Sequence, residues 1–206
     1  MPHQNRVTPF GKLIATPERG TLNGNRGRLH DDKGVITRLF REKRWIICLL
    51  EFKGRRHPIM KPGLYTDLFF LDEATALAAG HRPCAECQRD RFNVFRERWM
   101  QGRPEKVENG MVLAPVMDEI LHSERMGMRK TCVSLDAIPS GTFLTDNGLD
   151  AYLVLDKKML RWTPAGYEAV TEDQIKFPST ILTPASIVEA LIAGYPINIH
   201  PSAFVA

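Results

Sequence analysis

Apolar and polar positions alternate over three segments in the first half of the chain, and this pattern predicts β-strands. The segments are residues 35–40, 45–52 and 65–71. Residues 41–44 are all charged and predict a turn, so we expect the first two strands to pair as a hairpin. Residues 1–34 are rich in Gly, Pro, Asn and Arg without helical periodicity, which predicts irregular chain or short strands.

Two helices are predicted next. Asp72 precedes an alanine-rich segment at residues 73–79, and Gly80 follows it, which is typical of a helix with an N-cap and a left-handed final residue. In residues 86–100, Phe92, Phe95 and Trp99 recur at helical spacing. This face predicts a core contact for the second helix.

The second half predicts a helix and a small antiparallel sheet. The helix covers residues 115–126, and the strands cover residues 142–145, 151–155 and 159–162. A last helix is expected to be capped by Thr183 and to end at Gly194. Residues 101–109 are polar and contain Gly and Pro, which predicts a boundary between portions 1–106 and 107–206. The predicted fold class is α+β.

The charge of the chain is unevenly distributed. Residues 1–61 hold 14 Lys and Arg against 5 Asp and Glu, whereas residues 107–206 hold 7 against 12. A basic N-terminal third indicates an anionic partner, most commonly nucleic acid. The alternative is that the acidic portion neutralises the basic one after folding. The longest apolar run is residues 45–50, and no secretory signal is recognisable, so we expect a cytoplasmic protein without a membrane span.

The cysteines predict a metal centre. In a cytoplasmic chain, cysteines are metal ligands or buried thiols more often than disulfides. Cys84 and Cys87 form a Cys-x-x-Cys pair, in which a tight turn lets two thiolates reach one tetrahedral ion. The start of a helix, with Arg82 and Arg89 nearby, favours the thiolate form. We interpret the pair as half of a zinc site; a redox pair and inert buried thiols are the alternatives.

Residues 69–87 carry a resemblance to a known family. An aromatic strand, a short alanine-rich helix, Gly80, then Arg82, Pro83 and the cysteine pair follow one another. This order resembles the second half of the zinc-binding domain of Ada-type alkylation-repair proteins and of related modules attached to nucleases. The resemblance implies zinc ligation by Cys84 and Cys87, and a fold that handles DNA in repair or maintenance.

The remaining ligands depart from that family. Its first ligand pair is closely spaced, whereas the upstream candidates in this chain, Cys48 and His57, are nine residues apart. Cys132 is an alternative ligand that would close a four-cysteine site across the predicted boundary. His81 occupies the family's aromatic position, so a packing role is expected for it.

Five arginines are the candidate nucleic-acid contacts because they lie in Gly-rich or basic settings or near the cysteine pair. They are Arg26, Arg28, Arg55, Arg56 and Arg89.

A candidate catalytic pair lies on the helix at residues 115–126. Asp118, His122 and Arg125 fall at i, i+4 and i+7, so they share a face. Asp118 would orient the imidazole of His122 as a general base; the alternative is an ordinary solvated helix face.

Three functions follow from these patterns. The leading hypothesis is a zinc-binding protein that binds nucleic acid, DNA in particular. The second is a zinc-stabilised nuclease or repair enzyme that uses His122 and Asp118. The third is a structural or partner-binding protein.

Overall fold

A computed structural model of the chain describes residues 1–54, 58–171 and 174–206. These residues form two six-stranded β-sheets and four α-helices, which confirms the predicted α+β class. The strands of the first sheet are β1 (Gln4–Val7), β2 (Leu13–Ala15), β3 (Leu22–Asn25), β4 (Ile46–Cys48), β5 (Leu68–Phe70) and β6 (Arg82–Pro83). The strands of the second sheet are β7 (Thr131–Cys132), β8 (Phe143–Thr145), β9 (Tyr152–Leu155), β10 (Lys158–Thr163), β11 (Gly166–Ala169) and β12 (Ser179–Ile181).

The first sheet is mixed and has the strand order β2-β1-β5-β3-β4-β6. Strand β4 pairs with β3 in antiparallel and with β6 in parallel orientation. Close packing on the inner face requires Gly24 in β3, because a Cβ atom there would lie 2.6 Å from the ring of Phe70. The inner face of the sheet therefore buries Phe70, Ile47 and Leu68 in the core.

The second sheet is antiparallel and has the order β11-β10-β9-β8-β12-β7. Asp156 and Lys157 join β9 to β10, and both adopt positive φ angles, of 48° and 64°. This two-residue connection matches the right-handed twist of the paired strands. The strands predicted at residues 142–145, 151–155 and 159–162 correspond to β8, β9 and β10.

The α-helices are α1 (Glu73–Ala78), α2 (Arg89–Gly102), α3 (Ala114–Met126) and α4 (Ala185–Ile192). Asp72 caps α1 as predicted, since its carboxylate accepts a hydrogen bond of 2.8 Å from the N–H of Thr75. The predicted cap at Thr183 is wrong: its hydroxyl accepts from the N–H of Phe143 on β8 instead, and Pro184 occupies the N-cap of α4. Among the helices of the described ranges, none is long and apolar enough to cross a membrane.

The predicted hairpin of residues 35–40 with residues 45–52 is wrong. Residues 35–40 form no strand, and Ile36 makes an isolated bridge to His30. The hydrogen bonds of β4 are satisfied instead by β3 and β6, which come from distant parts of the sequence. Residues 26–45, which join β3 to β4, are called the basic loop below.

The hydrophobic core extends across the predicted boundary at residues 106 and 107. One cluster joins Phe70 of the first sheet and Trp99 of α2 to Leu121 of α3 and Ile187 of α4. A second cluster packs α1 against strands β8 to β11 of the other sheet. The N-terminal sheet is thus supported from behind by helices of the C-terminal half, and its outer face is left to form a site.

Candidate metal centre and adjoining cleft

The pairing of β4 with β6 brings three cysteines together. Cys48 ends β4, and β6 leads directly into Cys84, whose N–H donates a hydrogen bond of 2.9 Å to the carbonyl of Ile47. The turn that carries Cys87 is closed by the N–H of Gln88, which donates to the carbonyl of Cys84 at 3.1 Å. The Sγ atoms of Cys48, Cys84 and Cys87 all lie within 4.8 Å of one another. Sheet pairing, which no local pattern reveals, supplies the third thiol.

Hydrogen bonds among the three thiols shift their pKa values in different directions. The thiol of Cys48 donates to Cys84 and Cys87, which raises the pKa of Cys48. The hydrogen bond from Cys48, together with the N–H groups of Cys87 and Glu86, lowers the pKa of Cys84 to about 5. Cys48 and the N–H of Leu49 likewise lower the pKa of Cys87. The cluster therefore holds thiolate character, which is the form that binds metals.

The donor set fits a single metal ion. A zinc ion that is bound tetrahedrally at about 2.3 Å holds its sulfur ligands about 3.8 Å apart, and the three Sγ atoms lie within 4.8 Å of one another, close enough to share one ion. The three cysteines are half-buried and are not joined by disulfides. Cys48, Cys84 and Cys87 could thus hold a metal ion on the outer face of the first sheet.

The structure does not bring Cys132 to this cluster, which corrects its proposal as an alternative ligand. Cys132 lies on β7 of the second sheet, where its thiol donates to the carbonyl of Ser179 at 3.6 Å. Because Cys132 belongs to the second sheet, it is not part of the group of three cysteines on the first sheet. The predicted ligand His57 lies outside the described residues, as do the predicted nucleic-acid contacts Arg55 and Arg56.

An open cleft of about 600 Å³ adjoins the three thiols. Its floor is the outer face of the first sheet, and its walls come from residues 49–52, 59–67 and 84–87. Besides the three cysteines, the described lining residues are Asn23, Asn25, Ile46, Leu49, Leu50, Phe52, Ile59, Tyr65, Asp67, Phe69 and Glu86. Sequence reasoning missed this cleft. The signal was present in β3, where Asn23 and Asn25 flank Gly24, so that the two amides share the face opposite the core.

Arg26, a predicted phosphate contact, is instead a buried packing residue. Its side chain is 1% exposed, and its guanidinium lies 3.8 Å from the ring centroid of Trp45. Its Nε donates to Nε2 of His81 at 3.1 Å, and its Nη1 donates to the carbonyl of Gly11 at 2.9 Å. Burial, followed by the nearby charge of Arg125, lowers the pKa of Arg26 to about 9. A phosphate cannot reach this enclosed group.

His81 packs as expected from its position. Its ring is fully buried between Trp45 and Phe70, at centroid distances of 5.1 and 4.7 Å. Burial and the charges of Arg26 and Arg125 lower the pKa of His81 well below its ordinary value. The imidazole is therefore neutral and accepts the hydrogen bond from Arg26.

Two other predicted contacts lie at the surface. Arg28 is half-exposed and forms an ion pair of 2.6 Å with Asp32, so much of its charge is engaged locally. Arg89 is exposed at the first residue of α2, two residues after Cys87. Of the predicted arginines with described positions, Arg89 lies nearest in sequence to the metal centre.

The structure does not show the predicted Asp118–His122 pair. Both carboxylate oxygens of Asp118 accept hydrogen bonds of 2.8 Å from Arg82, and the two side chains are 9% and 3% exposed. His122 faces Arg125 instead, with 3.3 Å between its Nδ1 and the guanidinium. Burial and the charges of Arg125 and Lys43 lower the pKa of His122. Asp118 thus joins α3 to β6 and does not orient a general base.

No known family model, curated protein or solved structure matches this chain. The class is therefore defined by the fold and the site alone: an α+β protein with a cysteine cluster suited to a metal ion.

Proposed function

We propose that this chain is a zinc-binding protein that binds nucleic acid. The observation that carries the proposal is the convergence of Cys48, Cys84 and Cys87 within 4.8 Å on the surface of a sheet that lies beside a basic loop. Thiolates favour zinc over harder divalent ions such as magnesium or calcium. Bound zinc would supply a structural cross-link between the end of β4 and the turn that precedes α2.

The distribution of ion pairs supports an external anionic partner. If the acidic half of the chain neutralised the basic N-terminal third, ion pairs would join the two. Among the described residues, a single ion pair, of 2.6 Å between Lys43 and Glu119, links residues 1–61 to residues 107–206. Its side chains are 52% and 61% exposed, so it stabilises the protein weakly.

The basic loop presents charges to the solvent. Lys33, Arg38 and Arg41 are exposed, and they make no ion pair with any residue that the structure describes. Exposed cations of this kind bind phosphates by releasing counterions, and the affinity then falls as salt is added. The loop starts at the end of β3 and ends at the start of β4, so these charges belong to the same sheet as the thiols.

Salt-dependent binding tests the proposal. Binding of labelled single-stranded and duplex DNA and RNA would be measured by fluorescence anisotropy over a series of salt concentrations. We expect log affinity to fall linearly with log salt, and the double substitution Arg38→Gln with Arg41→Gln to reduce that slope by about two. The matched control replaces two exposed lysines of the second sheet region, Lys158→Gln with Lys176→Gln, and keeps the wild-type slope.

Two results would overturn the proposal. One is the absence of binding to every nucleic acid at low salt. The other is an equal effect of the two double substitutions, since the charge would then act without regard to its position.

A further inference from the structure

The cleft beside the thiols has a floor that carries two amide side chains, Asn23 and Asn25. Asn23 of β3 lies opposite Cys48 of β4 on one side and opposite Phe69 of β5 on the other. Directly opposite residues in antiparallel strands have Cβ atoms about 4.5 to 5.5 Å apart. The amide of Asn23 is therefore held between a thiol and an aromatic ring, at the middle of the floor.

The amides on this floor have unused hydrogen-bonding capacity. The side chain of Asn23 makes no hydrogen bond with the described part of the chain, although the residue is half-buried. Asn25 accepts a hydrogen bond of 3.3 Å from the N–H of Gly27 and keeps its amide N–H groups free. A carboxamide offers both donors and an acceptor, which is the pattern that pairs with the edge of a nucleobase.

The walls of the cleft are apolar. Leu50, Ile59 and Tyr65 line it and are 52%, 50% and 39% exposed, and Phe69 contributes to the floor. Exposed apolar side chains that gather around one cleft indicate a ligand with an apolar face. Aromatic side chains of this kind stack on bases whatever their sequence.

Exposed cations stand next to the lining of the cleft. Lys53 directly follows Phe52, and Arg89 lies two residues after Cys87. A strand whose base lies inside the cleft would bring its phosphates to these cations at the rim.

We infer that this cleft receives an unpaired nucleobase of a single-stranded nucleic acid, which stacks on Tyr65 and hydrogen-bonds to Asn23. This inference rests on the proposed nucleic-acid binding and adds the part of the ligand that is recognised. The volume of about 600 Å³ falls within the range of about 300 to 1,000 Å³ that is usual for small-molecule sites.

Substitutions in the cleft test the inference on the metal-loaded full chain. The variants are Asn23→Leu and Tyr65→Leu, and the matched controls are Asn93→Leu on α2 and Phe204→Leu near the C-terminus, both exposed. The probes are a short mixed-sequence single-stranded DNA, the same strand with abasic positions, and its duplex. Metal content and unfolding midpoints are measured for each variant, and Asn23→Ala replaces Asn23→Leu if that variant loses metal.

We expect Tyr65→Leu to weaken single-strand binding by about tenfold, a typical effect of losing one stacked base. Asn23→Leu should weaken it by about the same factor, because it removes the hydrogen bonds to the edge of that base. The abasic strand binds the wild type about as weakly, the duplex binds all proteins equally, and the salt slope stays unchanged. Unchanged single-strand affinity in both cleft variants, or an equal loss with the control variants, would overturn the inference. So would a free mononucleotide that binds in an Asn23-dependent manner while the strand does not.

The failure of this inference is distinguishable from that of the proposed function. If the wild type binds no nucleic acid at low salt, the proposed function fails. If all proteins bind every probe with the same affinity and the same salt dependence, nucleic-acid binding stands and recognition of the base fails.

Discussion

Asp118 is a structural anchor in this account, and its substitution by Asn measures that role. The carboxylate accepts two hydrogen bonds of 2.8 Å from Arg82, and both side chains are almost completely buried. Arg82 in turn lies on β6, directly before the segment that carries Cys84. Asp118→Asn removes the negative charge with little change in shape and leaves a buried guanidinium without its counter-ion.

The structure sets the size of the expected effect. Breaking one partner of a buried ion pair costs about 3 to 5 kcal/mol in free energy of unfolding, whereas exposed pairs contribute about 0 to 1 kcal/mol. The adjacent residue, Glu119, forms an exposed pair with Lys43 and supplies the matched control Glu119→Gln. We expect a loss of about 3 kcal/mol or more for Asp118→Asn and of less than about 1 kcal/mol for Glu119→Gln.

Chemical denaturation monitored by tryptophan fluorescence would measure both values. The double variant Arg82→Met with Asp118→Leu should recover most of the loss, because apolar residues of similar size replace buried ion pairs at little cost. A loss below about 1 kcal/mol for Asp118→Asn, or equal losses for the two single variants, would refute the anchoring role.

Two further predictions concern the core behind the site. His81→Gln keeps an acceptor for Arg26 but does not titrate. The folded state holds the pKa of His81 far below its unfolded value of about 6.5, so the unfolded chain alone takes up a proton as the pH falls. His81 should therefore reduce the free energy of unfolding of the wild type by up to about 1.4 kcal/mol per pH unit below about pH 6.5. His81→Gln should remove this contribution in denaturation curves measured between about pH 7 and about pH 5. The same pH dependence in both proteins would contradict this. Gly24→Ala places a Cβ atom against the backbone carbonyl oxygen of Ile46 and 2.6 Å from the ring of Phe70. We therefore expect a loss of about 1 to 3 kcal/mol in thermal or chemical unfolding, and a change below about 0.5 kcal/mol would show that these contacts are not tight.

Local patterns predicted the elements of the fold better than their pairing. The cap of α1 at Asp72 and the strands β8 to β10 depend on neighbouring residues, and they are found where the sequence indicates them. The predicted hairpin of residues 35–40 with residues 45–52 is not found, because β4 pairs with β3 and β6 instead. The alternation of apolar residues carries no information about such distant partners.

The candidate site shows the same division. Cys84 and Cys87 are close in the sequence, so the sequence alone predicts that one turn brings them together. Cys48 was a candidate metal ligand only because it lies upstream of them. The enclosure of Arg26 by Trp45 and the capture of Asp118 by Arg82 depend on long-range packing. A charged residue in a Gly-rich or helical setting has the same sequence signature whether it is buried or free.

Metal analysis of three proteins tests the central claim most directly. The wild type, Cys48→Ser and Cys132→Ser would be purified alike, their metal content measured, and cobalt substitution used to read sulfur ligation from the absorption spectrum. We predict about one zinc per chain and thiolate–cobalt bands in the wild type and in Cys132→Ser, with loss of both in Cys48→Ser. A wild type that holds no metal when zinc is supplied, or a Cys48→Ser protein that holds as much as Cys132→Ser, would contradict the three-cysteine centre.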